Sequence, residues 1–370
     1  LDWTVPLEWN VREAWLRAPD GSVLADVREH NLHLVGYSAP CRCRLDLEAL
    51  RPHLHTLPGR PDWIPYRTSY WTRDWGFCLP HRVAERLEPG TYDVCVDTVL
   101  EPGEMNWGEL VLPGVLREEI LVTTHICHPS MANDNCSGMA IAACLAAELA
   151  RRGGHRRTLR FLFAPGTVGA IAWLALHRDE VRRIRHVIVL AGLGDAGPIS
   201  IKHTRHGDAE LDATAVAVAR ARGTPLLELP FSPYGYDERQ YSSPGFDLPA
   251  LVVSRSPFGS YPEYHTSADD LGFIRPESLA DSYRFVYDLI GELDAARHPV
   301  NRVPYGEPQL GRRGLYASLG GDSHAKERQM AMLWVLNMAD GHTTAQQIAV
   351  RSGLPPARVE EAIAALEAAG

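Results

Sequence analysis

The alternation of strand-like and helix-like segments between residues 113 and 300 limits the fold more than any other feature. The apolar run "EEILVTTHI" is typical of a buried strand, and the alanine-rich helical segment "SGMAIAACLAAELARRG" follows it. Further strands are predicted at "TLRFLFAP", "HVIVLAGLGD" and "LPALVVSR". Alternation of this kind predicts an α/β domain whose largely parallel sheet is flanked by helices.

The regions on either side of this domain have different patterns. Residues 26–112 contain short β-like runs, such as "YDVCVDTVL", that are separated by turns rich in proline and glycine. This pattern predicts a small β-rich domain of its own. Three helices joined by tight turns are predicted near the end of the chain, which is typical of a helix-turn-helix or winged-helix module.

Charge and composition argue against several classes of protein. The 370 residues carry a formal net charge of −9, from 37 Lys and Arg against 46 Asp and Glu, which disfavours a general nucleic-acid or anionic-membrane binder. The last predicted helix, "PPARVEEAIAALEAAG", is acidic, so we expect no nucleic-acid partner for the C-terminal module. With no signal peptide, no spanning apolar run and scattered cysteines, we expect a cytoplasmic protein; a homo-oligomer stays open.

Potential metal ligands stand at the ends of several predicted strands. His125 and His128 follow the first buried strand, and Asp134 comes shortly after them. Asp195 follows a second strand and His265 lies in a loop after a third. Because ligands of such sheets bind at the carboxyl ends of strands, and because zinc prefers imidazole and carboxylate ligands, this pattern predicts a zinc site. A hydrogen-bonded loop residue is the simpler alternative for each one taken singly.

Three motifs resemble those of a known family: "HICHPSMANDNCSG", "GYDERQYSSPGFDLP" and "PEYHTSADDL". They are similar to motifs of bacterial aminopeptidase-like proteins of the di-zinc exopeptidase superfamily, which also contains leucyl-type aminopeptidases and glutaminyl cyclases. The resemblance extends over nearly the whole chain. It implies a zinc-exopeptidase-like α/β domain with a mixed, mostly parallel sheet at 1–25 and 113–305, an inserted β-rich domain at 26–112 and a C-terminal winged helix at 306–370.

The resemblance also implies roles for individual residues. His125 matches the first metal-ligand histidine of the family, Asp134 matches the carboxylate that bridges two zinc ions, and His265 matches the histidine of the second zinc site. Asp195 is the only carboxylate near the remaining ligand position, although an alternative alignment places a glycine there. His128 has no counterpart in the superfamily and could replace a missing ligand. We expect one zinc ion, with two left open, because the position after Gly166 lacks the zinc-binding glutamate.

One position departs from the family pattern. Relatives follow the strand ending in "FLF" with a glutamate that acts as general base and commonly with a second glutamate that binds zinc. This chain has Gly166 and Thr167 instead. Glycine has no side chain to accept a proton, and a positioned base contributes roughly 10²–10⁴-fold to a rate. Ordinary peptide hydrolysis should therefore be severely weakened unless another group replaces the base.

Candidates for such a group lie in two loops. Glu238 is a candidate base, and Tyr241 is a candidate donor to a developing oxyanion. Asp237 and Arg239, in the same segment, are candidate substrate-binding residues, and Glu263 could hold the amine of a substrate. A solvated loop residue is the alternative for each of them.

These expectations leave three functions open. The first is a zinc-dependent, aminopeptidase-like hydrolase that acts on a small peptide or an aminoacyl amide. The second is a repurposed biosynthetic enzyme that uses the same zinc pocket for acyl transfer or cyclisation of an aminoacyl or peptidyl intermediate. The third is a non-catalytic relative that only binds a ligand. None of the three requires a membrane.

Overall fold

The computed structural model describes residues 2–128, 130–315 and 325–370. Contacts divide the chain into two units, Leu1–Asp294 and Ala295–Gly370. The strands of the first unit are β1 (Glu8–Arg17), β2 (Val23–Asp26), β3 (Cys41–Asp46), β4 (Leu54–His55), β5 (Phe77–Cys78), β6 (Thr91–Glu101), β7 (Gly108–Leu112), β8 (Leu116–His125), β9 (Arg157–Ala164), β10 (Ile184–Leu190), β11 (Ile199–Lys202), β12 (Leu226–Leu229) and β13 (Ala250–Ser254).

The α-helices vary in length from a single turn to 20 residues. They are α1 (Leu47–Leu50), α2 (His81–Ala84), α3 (Gly138–Arg152), α4 (Val168–Leu176), α5 (Glu210–Arg222), α6 (Glu238–Tyr241), α7 (Pro276–Ala295), α8 (Ala325–Met338), α9 (Ala345–Ser352) and α10 (Pro356–Ala368). Among the residues that the structure describes, every helix is too short or too polar to cross a membrane.

A seven-stranded mixed sheet forms the centre of the first unit, in the order β12-β11-β13-β10-β8-β9-β7. β8, β9, β10 and β13 run parallel to one another, whereas β7 and β11 each run antiparallel to their neighbour in that group. Successive residues of β8 point to opposite faces of the sheet. Ile120 and Val122 pack with helices α3, α5 and α7, and Leu121 packs with α4. The predicted mostly parallel sheet flanked by helices is therefore confirmed.

Two segments lie in a different sheet from the one predicted. β1, assigned from the sequence to the α/β domain at 1–25, pairs antiparallel with β6 in a four-stranded sheet of order β2-β1-β6-β3. It does so because alternate residues such as Ala14 and Leu16 pack into the same core as Val94 and Val96. β7, assigned to 26–112, is instead the edge strand beside β9. Independent folding of the β-rich region stays a prediction.

The second unit is helical. α8, α9 and α10 pack around a core that includes Ala331, Val335, Ile348 and Ile363. The predicted capping box begins α9, since Thr344 Oγ1 accepts the N–H of Gln347 at 3.0 Å and Gln347 Oε1 accepts the N–H of Thr344 at 2.8 Å. The unit starts at residue 295, before the predicted boundary at 306.

Candidate metal centre

Asp134 lies among three imidazole rings at the carboxyl ends of the parallel strands. Its Oδ1 is 2.8 Å from Nε2 of His125, which ends β8. Its Oδ2 is 3.1 Å from Nε2 of His265 and 3.9 Å from Nε2 of His128. Ligand atoms of His125, His128 and Asp134 all lie within 4.8 Å of one another. The structure thus brings four of the five predicted metal ligands together, and we call these four residues the imidazole cluster.

The chain holds Asp134 in place through a carboxylate that the sequence reasoning missed. Asp269 accepts the backbone N–H of Asn133 at 2.6 Å and that of Asp134 at 2.9 Å. Asp269 is itself buried and belongs to the same loop as His265. Its only signal in the sequence is its place four residues after His265, within a motif that already contained a predicted ligand.

The turn that carries Asp134 is fixed to the loop after β10. The side-chain oxygens of Asn133, Asn135 and Ser137 accept the backbone N–H groups of Gly194, Gly192 and Leu193, in that order, at 2.8, 3.2 and 2.9 Å. Buried backbone groups need hydrogen-bond partners, so these polar side chains have a structural reason to stand in this turn. They connect two neighbouring strand ends and set the position of the carboxylate between them.

Asp195, the fifth predicted metal ligand, does not join the imidazole cluster. Its carboxylate accepts hydrogen bonds from the Asn133 amide at 3.1 Å, the Ser256 hydroxyl at 2.6 Å and the Gly197 N–H at 2.7 Å. Donors within the protein therefore occupy its lone pairs. At the alternative position, Gly192 has no side-chain ligand to offer, and its φ of 60° is one that glycine adopts without strain.

The electrostatics of the cluster suit cation binding. Burial disfavours the charged form of Asp134, yet the imidazoles of His125 and His265 hold the pKa of its carboxyl below the ordinary value. Burial also lowers the pKa of His128 to about 4, which keeps its ring neutral at physiological pH. An ionised carboxylate and a neutral imidazole are the protonation states that metal ligation requires.

Two atoms of the cluster are buried without a hydrogen-bond partner among the described residues. These are Asp134 Oδ2 and His265 Nε2, which lie only 3.1 Å apart but are not oriented for a hydrogen bond with each other. Buried polar atoms without partners are uncommon and need an explanation, such as a missing ion. A cation that accepts a lone pair from each of them would satisfy both, so the donor set fits a metal such as zinc.

Tyrosines surround the imidazole cluster, and sequence reasoning missed them. Tyr236 stacks on the His125 ring at a centroid distance of 5.0 Å, and Tyr264 stacks on His265 at 3.9 Å. Tyr66, from the β-rich region, lies 5.1 Å from His265 and 5.4 Å from His128. Burial raises the pKa of all three phenols, so they stay neutral and able to donate hydrogen bonds. Tyr236 and Tyr264 adjoin predicted motif residues, whereas no sequence signal points to Tyr66.

The two predicted catalytic residues are paired with other residues and do not join the imidazole cluster. Glu238 is fully buried and pairs with Lys202, whose Nζ is 2.7 Å from Oε1. Tyr241 is also fully buried and belongs to a hydrophobic core, and its hydroxyl contacts Thr123 Oγ1 at 3.2 Å. Oε1 of Glu238 and the hydroxyl of Tyr241 are thus paired within the protein, whereas Oε2 of Glu238 has no hydrogen-bond partner among the described residues. Neither side chain contacts the imidazole cluster in the part of the chain that the structure describes.

The predicted substrate-binding residues show a mixed outcome. Glu263 is half-buried. The Nε of Arg239 is buried without a hydrogen-bond partner among the described residues. Asp237 is 1% exposed, and both its oxygens lack such a partner too. The Cβ atom of a side chain added at Gly166 would lie 2.9 Å from Cβ of His125 and 3.5 Å from Oδ1 of Asp237.

Family models match the whole chain in two parts. Residues 1–296 match a family described as a domain of unknown function, DUF4910, and residues 297–370 match a winged helix-turn-helix. The chain is 42% identical, over 366 residues, to a Clostridium acetobutylicum protein provisionally named a polysaccharide biosynthesis protein with aminopeptidase-like domain. That alignment covers 99% of this chain and 84% of the relative.

Solved structures show the same fold. A crystal structure of a provisionally named peptidase from Clostridium acetobutylicum matches with a TM-score of 0.82 and 41% identity, over 100% of this chain and 84% of that one. BSAP, a zinc aminopeptidase from Bacillus subtilis, matches with a TM-score of 0.59 and 14% identity, over 79% of this chain and 83% of that one. The predicted aminopeptidase-like fold and the C-terminal winged helix are thus confirmed.

Proposed function

The chain belongs to the family described as a domain of unknown function, DUF4910, and we propose that it is a zinc-dependent hydrolase of small peptides or aminoacyl amides. The name of its 42% identical relative, which includes an aminopeptidase-like domain, supports this proposal. One observation carries the proposal. Imidazole nitrogens of His125 and His265 meet the two oxygens of the buried Asp134 carboxylate at 2.8 and 3.1 Å. This arrangement stands at the strand ends of an aminopeptidase-like fold.

We propose that the cluster holds one zinc ion through His125, His128, Asp134 and His265. A second ion is disfavoured because Gly166 and Thr167 offer no carboxylate and because Asp195 is occupied by protein donors. When bound, zinc supplies Lewis-acid polarisation of the substrate carbonyl. The surrounding protein then has to place the amide, exclude bulk water and move protons.

The residues around the cluster fit a small amide substrate. Neutral phenols of Tyr66, Tyr236 and Tyr264 give apolar ring surfaces, and their hydroxyls can donate to the oxygen of a developing tetrahedral intermediate. We propose that these hydroxyls, rather than that of Tyr241, donate hydrogen bonds to the developing oxyanion. The half-buried carboxylate of Glu263 is the group we propose for binding the substrate's free amine.

The proposal is tested by measuring zinc content and amide hydrolysis on the same samples. The purified protein should bind about one zinc ion per chain and release a chromophore from a panel of aminoacyl anilides, and a chelator should abolish the release. His265→Gln should weaken zinc binding by more than about 10-fold, because even outer partners of metal ligands are worth that much. His206→Ala is the matched control, since that imidazole is exposed and contacts only Asp247 at the surface among the described residues. Stoichiometric zinc with no amide cleavage would refute the hydrolase.

A second candidate is acyl transfer or cyclisation in a biosynthetic pathway. Two observations favour it: Gly166 has no side chain, and the 42% identical relative is provisionally named a polysaccharide biosynthesis protein. In this reaction an amine, rather than water, would attack the acyl group. Mass spectrometry of reactions that contain both an aminoacyl ester and a small amine, including an amino sugar, separates the two. Predominant amide product supports transfer, and predominant free acid supports hydrolysis.

A further inference from the structure

Asp237 differs from the other buried carboxylates near the imidazole cluster. Asp195 and Asp269 each accept hydrogen bonds from backbone N–H groups or neighbouring side chains. Asp237 is equally buried, at 1% exposure, but neither of its oxygens has a hydrogen-bond partner among the described residues. Leaving a carboxylate buried and unpaired costs free energy. Buried titratable groups of this kind cluster at functional sites.

Asp237 lies beside the space that a side chain at position 166 would occupy. A Cβ atom at Gly166 would lie 3.5 Å from Oδ1 of Asp237 and 2.9 Å from Cβ of His125. Asp237 therefore borders the space beside His125 that a side chain at position 166 would enter. Tyr236, the residue before Asp237, stacks on the ring of His125 and fixes this segment against the cluster.

We propose that the carboxylate of Asp237 is the general base of the site, supplied from the segment before α6 instead of from position 166. This assignment rests on the proposed function and names the group that accepts a proton within it. It replaces Glu238 as the candidate base, because Lys202 neutralises the charge of Glu238 through Oε1, whereas no described residue pairs with either oxygen of Asp237.

The acidity of Asp237 suits this role. Burial raises the pKa of its carboxyl to about 7, with the charge of Glu238 adding to the effect and His125 and Arg239 opposing it. A base works best when its pKa lies near the working pH. A cation held at the imidazole cluster would lower this pKa and favour the ionised carboxylate.

The step balances without any further reactant. Asp237 takes a proton from water while the water oxygen forms a bond to the acyl carbon, and the carbonyl electron pair moves to the carbonyl oxygen. When that pair returns, the carbon–nitrogen bond breaks and the protonated Asp237 gives its proton to the leaving amine. The products are a carboxylic acid and an amine, and Asp237 is again a carboxylate. In acyl transfer the attacking amine gives up its proton to the same group.

The test compares wild type with Asp237→Asn and Asp237→Glu, with Asp247→Asn as control. Asp247 is an exposed aspartate of the same region that pairs with Arg205 and His206, and asparagine tolerates its φ of 47°. Three quantities are measured for each full-length protein: zinc affinity, protons released when zinc alone is added at pH 6.5, and amide cleavage as a function of pH. Proton release is read by calorimetry in two buffers that differ in ionisation enthalpy.

We expect Asp237→Asn to keep zinc affinity within about threefold, to release fewer protons than wild type, and to lose roughly 10²–10⁴-fold in rate. Asp237→Glu should recover part of that rate, and Asp247→Asn should match wild type. Equal rates in wild type and Asp237→Asn overturn the assignment while leaving the hydrolase intact. If wild type cleaves no amide, the hydrolase fails, and proton release decides alone: equal release overturns the role of Asp237, and reduced release supports it as the base for transfer.

Discussion

The Nε2 atom of His265 lies 3.1 Å from Oδ2 of Asp134, although the two residues belong to loops that follow different strands. The loop after β13 makes this contact possible, because its Asp269 accepts the backbone N–H groups of Asn133 and Asp134. A single carboxylate thus fixes the turn that carries one proposed ligand to the loop that carries another. The geometry of the imidazole cluster depends on this hydrogen-bonded connection.

Replacing Asp269 by asparagine should disturb the centre without touching a ligand. One carboxylate oxygen becomes an NH₂ group, so one of the two backbone N–H groups loses its acceptor and faces another donor. We expect a loss of about 1–3 kcal/mol in the free energy of unfolding and roughly 10–100-fold weaker zinc binding. Denaturant unfolding and chelator competition measure the two effects.

The neighbouring Asp270 provides the control for this change. It is exposed and accepts the N–H groups of Gly272 and Phe273 within its own turn. Asp270→Asn should therefore leave zinc affinity unchanged. Similar zinc affinities for Asp269→Asn and wild type would contradict the proposed connection between the two loops.

A buried ion pair explains Glu238 better than catalysis does. Lys202 Nζ lies 2.7 Å from Oε1 of Glu238 and donates to the carbonyl of Tyr234 at 2.9 Å. Glu238→Ala leaves the ammonium uncompensated, and we expect a loss of about 3–5 kcal/mol in the free energy of unfolding. The double change Lys202→Met with Glu238→Leu should cost clearly less, because no charge is left buried alone. Urea unfolding of the three proteins measures this; a stable Glu238→Ala protein with no activity would restore Glu238 as a catalytic candidate.

Tyr241→Phe should affect stability and leave catalysis intact. The hydroxyl of Tyr241 contacts Thr123 within a hydrophobic core, so its removal should cost about 1 kcal/mol in the free energy of unfolding. Thr123→Val in the same protein should recover part of this loss, because both partners are then apolar. The kcat of both variants should stay within about twofold of wild type. A large fall in kcat with unchanged stability would instead support the oxyanion role suggested by the sequence.

The parts of the fold that follow local patterns could be predicted from the sequence. Apolar runs and alanine-rich segments marked β8, β9, β10, β13 and α3, because the periodicity of burial is written into neighbouring residues. The pairing of β1 with β6 and of β7 with β9 could not be predicted in this way. Each depends on which distant strand covers an edge, and the sequence of a single strand does not specify its partner.

The same distinction applies to the residues of the candidate site: local patterns revealed some of them, and tertiary contacts determine the others. His125, Asp134 and His265 could be found because ligand types stood at strand ends within recognisable motifs. Asp195 was predicted as a further ligand but lies outside the cluster, because a sequence shows a carboxylate but not the donors that occupy its oxygens. Tyr66 was missed because it reaches the site from the β-rich region through a tertiary contact alone.

Because of Asp237, the zinc-free protein should become less stable as the pH rises. Its carboxyl has a pKa of about 7 in the folded chain against an ordinary value of 3.8. Between these values the folded state keeps a proton that the unfolded state has lost, so raising the pH through this window favours unfolding. The difference corresponds to roughly 4 kcal/mol once the pH exceeds 7.

Asp237→Asn removes this titration and keeps the shape of the neutral side chain. In chelator-treated samples the variant should therefore be more stable than wild type above pH 7, by up to roughly 4 kcal/mol, and equal to it near pH 4. Urea unfolding at pH 4, 5.5, 7 and 8.5 measures the difference. Asp247→Asn is the control, since that carboxylate is about half exposed and pairs with Arg205 at the surface. If the difference in the free energy of unfolding between wild type and Asp237→Asn did not change with pH, the pKa of Asp237 would be ordinary. Its carboxylate would then not be buried without a partner.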